Sequence, residues 1–177
     1  HLEDGKSVLF RDVRKFGKIY LFEDSEEGIT ALFSSLGPEP LSERYTLKEF
    51  LEKMGTRRLP VKSLLLDQRF IAGVGNIYAD EALFEAGVHP ARRVLYLRKY
   101  EKIRIFETVP LVLEKGIRAG GTTISDFVDS DGATGGFQEK LNVYGREGQR
   151  CYRCDSLILK TRVAQRGTHF CPVCQKR

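Results

Sequence analysis

Tryptophan is absent from this 177-residue chain, methionine occurs once, and cysteine is missing from the first 150 positions. Neither rare residue type discriminates between folds here. No apolar run approaches the roughly 18 residues that a membrane span needs, so no membrane partner is expected. With 41% hydrophobic and 30% charged residues the composition is that of an ordinary soluble domain. The length allows one compact domain, or one helical domain with a small appendage, and a cytoplasmic setting is expected.

What is present is unevenly spread. From Gln138 to Arg177 there are nine Lys and Arg against three acids, +6 in forty residues, whereas the whole chain carries only +5. A basic tail on a near-neutral body points to a polyanionic partner, the alternative being a tail that is merely soluble.

All four cysteines lie in that tail, as Cys151-Tyr-Arg-Cys154 and Cys171-Pro-Val-Cys174 with sixteen residues between the pairs. Two such pairs are compatible with disulfides, a redox couple, an iron–sulfur site or zinc. We read them as ligands of one structural Zn2+. Each short pair offers two thiolates from a tight turn, and the intervening residues can run out and back as a β-hairpin whose outgoing run is Leu157–Val163. A forty-residue tail has little core of its own, so the metal would supply much of its folding free energy. His169 is expected to pack or to meet a partner, since four thiolates already complete a tetrahedron.

Along the rest of the chain, Ser7–Arg11 and Lys18–Phe22 read as two strands, and two strands alone make no stable sheet. Residues 25–45 read as a linker, with Gly37-Pro-Glu-Pro40 and a short helix near Ile29–Leu36. Thr46 with Glu49 reads as a capping box opening a helix. A second helix starts near Pro60 and carries Lys62 and Leu64–Leu66. Gly73-Val-Gly75-Asn76 then permits a tight turn, with Asn76 either capping the next helix or turning its amide outward. Such a turn presents backbone N–H groups suited to a phosphate, although a generic helical hairpin has the same periodicity. A long helix follows from about Lys99 to Ala119, with Pro110 as a kink or a boundary. Residues Ser130–Gly136 read as a flexible loop, equally compatible with a flap over a ligand.

Asp12-Val-Arg-Lys-Phe-Gly17, Leu65-Leu-Asp-Gln68 leading into Gly73-Val-Gly-Asn-Ile-Tyr-Ala-Asp-Glu81, Gly120-Gly-Thr-Thr123, Asn142-Val-Tyr-Gly-Arg146 and Arg166-Gly-Thr-His-Phe-Cys171 occur in this order. In that order they resemble the bacterial formamidopyrimidine-DNA glycosylase family. The resemblance implies a mainly α fold: a helix-two-turn-helix DNA-binding domain (46–137) with a C-terminal β-hairpin zinc finger (138–177). A residual β-hairpin of an N-terminal β-sandwich lobe (1–24) would precede them. It implies duplex DNA containing an oxidised purine or an abasic site as partner, and a monomer in the bacterial cytoplasm, associated with the nucleoid. Asn76 and Arg166 would hold the phosphates flanking an extruded nucleotide, a guanidinium fork and an amide being suited to that task. Arg14 would face the estranged base and Phe16 would wedge beside it. Lys62 would lie near the DNA. Ser130, Asp131, Gly132, Ala133, Thr134, Gly135, Gly136 and Phe137 would form a flap over the lesion.

The sequence departs from the family pattern at Ser125, where an arginine is common, and at Gln165, where glycine is common. The resemblance also implies a nucleophilic amino-terminal proline, an adjacent glutamate and a lysine from a first lobe. The six prolines here stand at 38, 40, 60, 90, 110 and 172. The expectation is therefore that the rest of that lobe is a missing partner, and that these 177 residues bind DNA but catalyse neither base release nor strand cleavage. A relative specialised for oxidised pyrimidines and a non-catalytic zinc-containing DNA-binding module are the alternatives.

Overall fold

The computed structural model describes residues 1, 3–10, 12, 15–23, 25–122 and 135–177. They form two compact units, His1–Ser35 and Leu36–Arg177.

The first unit contains helix α1, Ser25–Phe33. The expected residual hairpin is not formed as a ladder among the described residues of 7–22. Val8, Leu9, Ile19 and Leu21 are each at least 74% exposed. A two-stranded ribbon without a facing layer buries too little to hold its register, which accounts for the difference.

Among its described residues the second unit is built from four α-helices, two short 3-10 turns and a hairpin. In α2 (Leu47–Met54) the Thr46 hydroxyl accepts the Glu49 N–H at 3.4 Å, and the helix buries Phe50 and Met54. The short α3 (Val61–Leu65) follows Pro60 and buries Val61, Leu64 and Leu65. Next comes α4 (Asn76–Ala86), which ends at Gly87 in the left-handed conformation (φ +69°) that glycine adopts without a Cβ penalty. The longest helix, α5 (Lys99–Arg118), turns Ile105, Val109, Val112 and Gly116 inward, a spacing of three to four residues that makes one helical face.

Pro110 lies inside α5 and is not a boundary. It has no N–H to give to the Phe106 carbonyl. The Tyr45 hydroxyl donates to that carbonyl instead, at 3.2 Å, while its ring stacks on Phe106 at 4.4 Å. A tertiary contact thus replaces the missing helical bond.

Helix α4 lies between two cores. Leu83 joins the main cluster with Phe50, Leu65, Ile71, Ile105 and Val109. Phe84 enters a second cluster with Val143, Ile158, Cys151 and Cys171. The approach of α5 to α4 is close: a Cβ on Gly116 would lie 2.5 Å from the Tyr78 ring.

Strands β1 (Leu159–Val163) and β2 (Arg166–Phe170) form an antiparallel hairpin, pairing Leu159 with Phe170 and Val163 with Arg166. The two-residue turn has Ala164 at φ +49° and Gln165 at φ +61°. Positive φ at both positions is the type I′ geometry that matches strand twist, normally served by Asn and Gly.

Candidate functional site

The four cysteine sulfurs lie within 4.8 Å of one another. Cys151 and Cys174 are 3.9 Å apart, and Cys154 and Cys171 are 3.4 Å apart. Zinc–sulfur bonds of about 2.3 Å in a tetrahedron set sulfurs about 3.8 Å apart, whereas a disulfide needs about 2.05 Å. The donor set therefore fits one structural Zn2+. Backbone N–H groups of Arg153 and Cys174 donate to Cys151 and Cys171 at 3.4 and 3.3 Å, which suits thiolate acceptors. The Ser156 hydroxyl stands 3.0 Å from Cys154 and 3.2 Å from Cys171, and its hydrogen bond pulls the Cys154 thiol down to about 6. Burial pushes Cys151 up, and burial with neighbouring thiols does the same to Cys174.

Two buried acids of α4 hold the tail to the helical domain. The Glu81 carboxylate accepts four hydrogen bonds, from the Asn142, Val143 and Tyr144 N–H groups and the Asn142 side-chain amide, at 2.8–3.0 Å. Asp80 accepts the His169 N–H at 2.9 Å and pairs with the Lys62 ammonium at 2.6 Å. His169 is not a metal ligand here; it is buried and meets the Tyr144 ring edge-on at 4.9 Å. Sequence reasoning missed Asp80 and Glu81. Their signal is two acids flanked by Ala79 and Ala82 in an otherwise apolar helical run.

Asn76 and Arg166, far apart in sequence, are brought to one corner. Asn76 opens α4, and among the described residues no side chain caps that helix. Its Nδ2 donates to the carbonyl of Gly167, the residue after Arg166, at 3.1 Å. Gly73 takes φ +81°, and Gln68 braces the turn by accepting the Gly73 N–H and donating to the Val74 carbonyl. Arg166 is exposed and forms no ion pair among the described residues.

Lys62, expected near the DNA, lies beneath this corner rather than on its surface. Its side chain is fully buried, and its ammonium is engaged by Asp80, by the Gly167 carbonyl at 2.9 Å and by Thr168 Oγ1 at 2.8 Å. Burial lowers its pKa, and the Asp80 charge acts in the opposite direction. Lys62 supports the Arg166–Gly167 backbone from beneath.

Phe137, expected in the flap, is also buried; it stacks on Tyr78, with centroids 5.6 Å apart and planes at 10°, so it anchors rather than covers. Beside it the Gly136 and Phe137 N–H groups donate to the Ala119 and Gly121 carbonyls at 2.8 and 3.0 Å. Gly135 belongs to this junction, where a Cβ would meet the Gly121 carbonyl oxygen at 2.3 Å. Ser130, Asp131, Gly132, Ala133 and Thr134 lie outside the described residues, as does Arg14. Phe16 is 76% exposed in the first unit.

Fold and site define a helix-two-turn-helix domain joined to a four-cysteine zinc finger. The family model of the formamidopyrimidine-DNA glycosylase H2TH domain matches residues 36–128, and that of the zinc finger found in FPG and IleRS matches residues 148–177. The chain belongs to the formamidopyrimidine-DNA glycosylase family. It is 42% identical over 174 residues to the Shouchella clausii formamidopyrimidine-DNA glycosylase, covering 98% of this chain and 63% of that protein. The crystal structure of the MutM (Fpg) protein of Thermus thermophilus superposes with a TM-score of 0.86 at 44% identity, over 93% of this chain and 62% of that one. The Lactococcus lactis Fpg, solved in complex with DNA containing an abasic site, gives 0.80 at 38% identity, over 86% and 56%. The chain thus spans less than two thirds of each of these relatives.

Proposed function

We propose that this chain is the DNA-gripping portion of a base-excision-repair enzyme that releases oxidised purines from duplex DNA and cleaves the abasic strand by β-elimination. The observation that carries the reading is the convergence of Asn76 and Arg166 on Gly167 at the uncapped start of α4. An exposed guanidinium, a side-chain amide and helix-start N–H groups at one corner suit two neighbouring phosphates. The Lactococcus relative was solved with abasic-site DNA, which supports the same partner here. Phe16 and Arg14 are assigned to the base stack, and 130–136 to the lesion side. The reading includes a monomer in the bacterial cytoplasm, at the nucleoid, completed by a catalytic lobe.

By themselves, the 177 residues are proposed to grip DNA without performing either chemical step. Lys62, a fully buried amine, is committed to Asp80, Gly167 and Thr168, and so is not available as a nucleophile.

The experiment is fluorescence anisotropy on a duplex carrying an abasic-site analogue. Asn76→Ala and Arg166→Ala should each weaken binding by roughly 10- to 100-fold, the effect of losing a hydrogen bond to a charged group. Unchanged affinity in both would remove the grip. Borohydride treatment with abasic DNA should trap no covalent adduct of the 177-residue chain. The intact protein should release 8-oxoguanine.

A further inference from the structure

Much of the excess charge that marks the tail in sequence is engaged away from the Asn76–Arg166 corner. Arg146 is buried and spends its guanidinium on Gln149 and on the Asn142 and Arg150 carbonyls. Arg150 pairs with Asp155, Arg153 with Glu85, and Lys160 with Glu147. These cations hold the finger together.

Uncommitted cations gather elsewhere. Arg98, Arg104 and Lys176 line an open hollow of about 560 Å3, with Gly87 at its wall and Tyr100 at its edge. Arg93 and Tyr96 line an adjoining hollow of about 490 Å3, and Arg92 and Arg177 are common to both. Among the described residues two acidic side chains bear on these cations, and both are paired. Glu101 pairs with Arg92 at 2.6 Å and accepts the Arg98 N–H at 2.7 Å. Glu85 pairs with Arg153 and, at 3.5 Å, with Lys115. Arg93, Arg98, Arg104 and Lys176 form no ion pair among the described residues, so the two adjoining hollows carry unneutralised positive charge. Tyr96 and Tyr100, one in each hollow, are 61% and 50% exposed.

The place is distinct from the Asn76–Arg166 corner. Ala86 and Gly87 end the helix that Asn76 begins, and eleven residues of α-helix separate the two ends by about 16 Å.

We propose that this hollow is a second nucleic-acid site, which takes the phosphodiester backbone of single-stranded DNA and stacks bases on Tyr96 and Tyr100. Repelling cations in a concavity call for a polyanion. The interleaved tyrosines select one whose bases are accessible, because a duplex hides its base faces and a carboxylate polymer has none. The site goes beyond the repair reading and does not depend on it.

The test uses the intact protein saturated with abasic-analogue duplex, titrated with a labelled twelve-residue oligothymidylate. A ternary complex with one further equivalent of oligonucleotide is expected. Arg98→Gln, Arg104→Gln and Lys176→Gln together should weaken oligothymidylate binding about tenfold or more, and flatten its log–log salt dependence by about 2, the share of three phosphate contacts on a single strand. Duplex affinity should not change, which also reports that the variant is folded. Tyr96→Ala with Tyr100→Ala should cost about tenfold without altering the salt dependence. Asn76→Ala with Arg166→Ala should show the converse pattern, losing the duplex and keeping the oligonucleotide. The proposal is overturned if oligothymidylate displaces the duplex, if the triple variant binds it like the parent, or if polyglutamate of equal length competes as well.

Discussion

Lys62 and Asp80 meet at 2.6 Å with both side chains wholly out of solvent, and through them α3, α4 and β2 are tied at the point where Arg166 emerges. Breaking a buried pair strands its partner's charge. Asp80→Asn is expected to destabilise the zinc-loaded protein by about 3–5 kcal/mol, and replacing both residues by Met and Leu should cost less than the single change. Urea titration of the three proteins checks this, and an unchanged midpoint for Asp80→Asn would refute it.

Removing zinc should not unfold the whole second unit. The larger core, from Phe50 to Leu141, contains no cysteine, whereas the smaller one includes Cys151 and Cys171. Chelation, or Cys174→Ser, should lose the β1–β2 hairpin and DNA binding together while most helical signal remains in circular dichroism. Complete loss of helicity would show that the finger is needed for the helical core.

The Gln165 turn stores strain that glycine relieves. A left-handed conformation costs a residue with a Cβ roughly 1–2 kcal/mol, partly offset by glycine's greater freedom when unfolded. Gln165→Gly should raise stability by about 1 kcal/mol in thermal melts at fixed zinc. A lowered melting temperature would mean that the Gln165 side chain makes a compensating contact.

Gly116→Ala improves helix propensity in isolation but drives a methyl into the Tyr78 ring. The clash should dominate, with a loss of about 1–3 kcal/mol. In the Tyr78→Ala background the same change should be neutral or favourable, and a double-mutant cycle measures the difference.

His89 should make the protein acid-sensitive. Its Nδ1 accepts the Ala91 N–H at 3.1 Å and its ring meets Phe170 at 4.4 Å, both of which suit the neutral form. Burial, and secondarily the Arg177 charge, lower its pKa below the usual 6.5. The unfolded chain then binds the proton first as pH falls. Stability is therefore complete above about pH 6.5 and declines as pH drops through the depressed value. The decline should be smaller in His89→Gln, and subtracting the two melting profiles separates it from protonation of the thiolates.

Several features were legible in the sequence because they depend on neighbours along the chain. The paired Cys-x-x-Cys spacing specified a four-thiolate site. Thr46 marked a helix start, and Gly73 and Gly75 marked the turn before Asn76. The family motifs placed Arg166 beside the second cysteine pair. The buried settings of Lys62 and Phe137 were not legible, for the opposite reason. A lysine is ordinarily solvated, and nothing within several residues of Lys62 announces that Asp80 will neutralise it in the interior. Phe137 follows a glycine-rich loop, so locally it belongs with the loop, yet its ring finds Tyr78 on another helix.

The sequence by itself determined the metal-ligand set, the principal helices of the second unit and the family, since spacing and periodicity follow from short-range covalent geometry. Only the tertiary structure decided which charges hold the fold together and which face solvent. Asp80, Glu81 and Lys62 are buried among partners that lie tens of residues or more away and Arg146 among nearer ones, while Arg98, Arg104 and Lys176 form no ion pair among the described residues. That division follows from the cost of burying a charge, which is met only where long-range packing supplies an opposite charge or several hydrogen bonds.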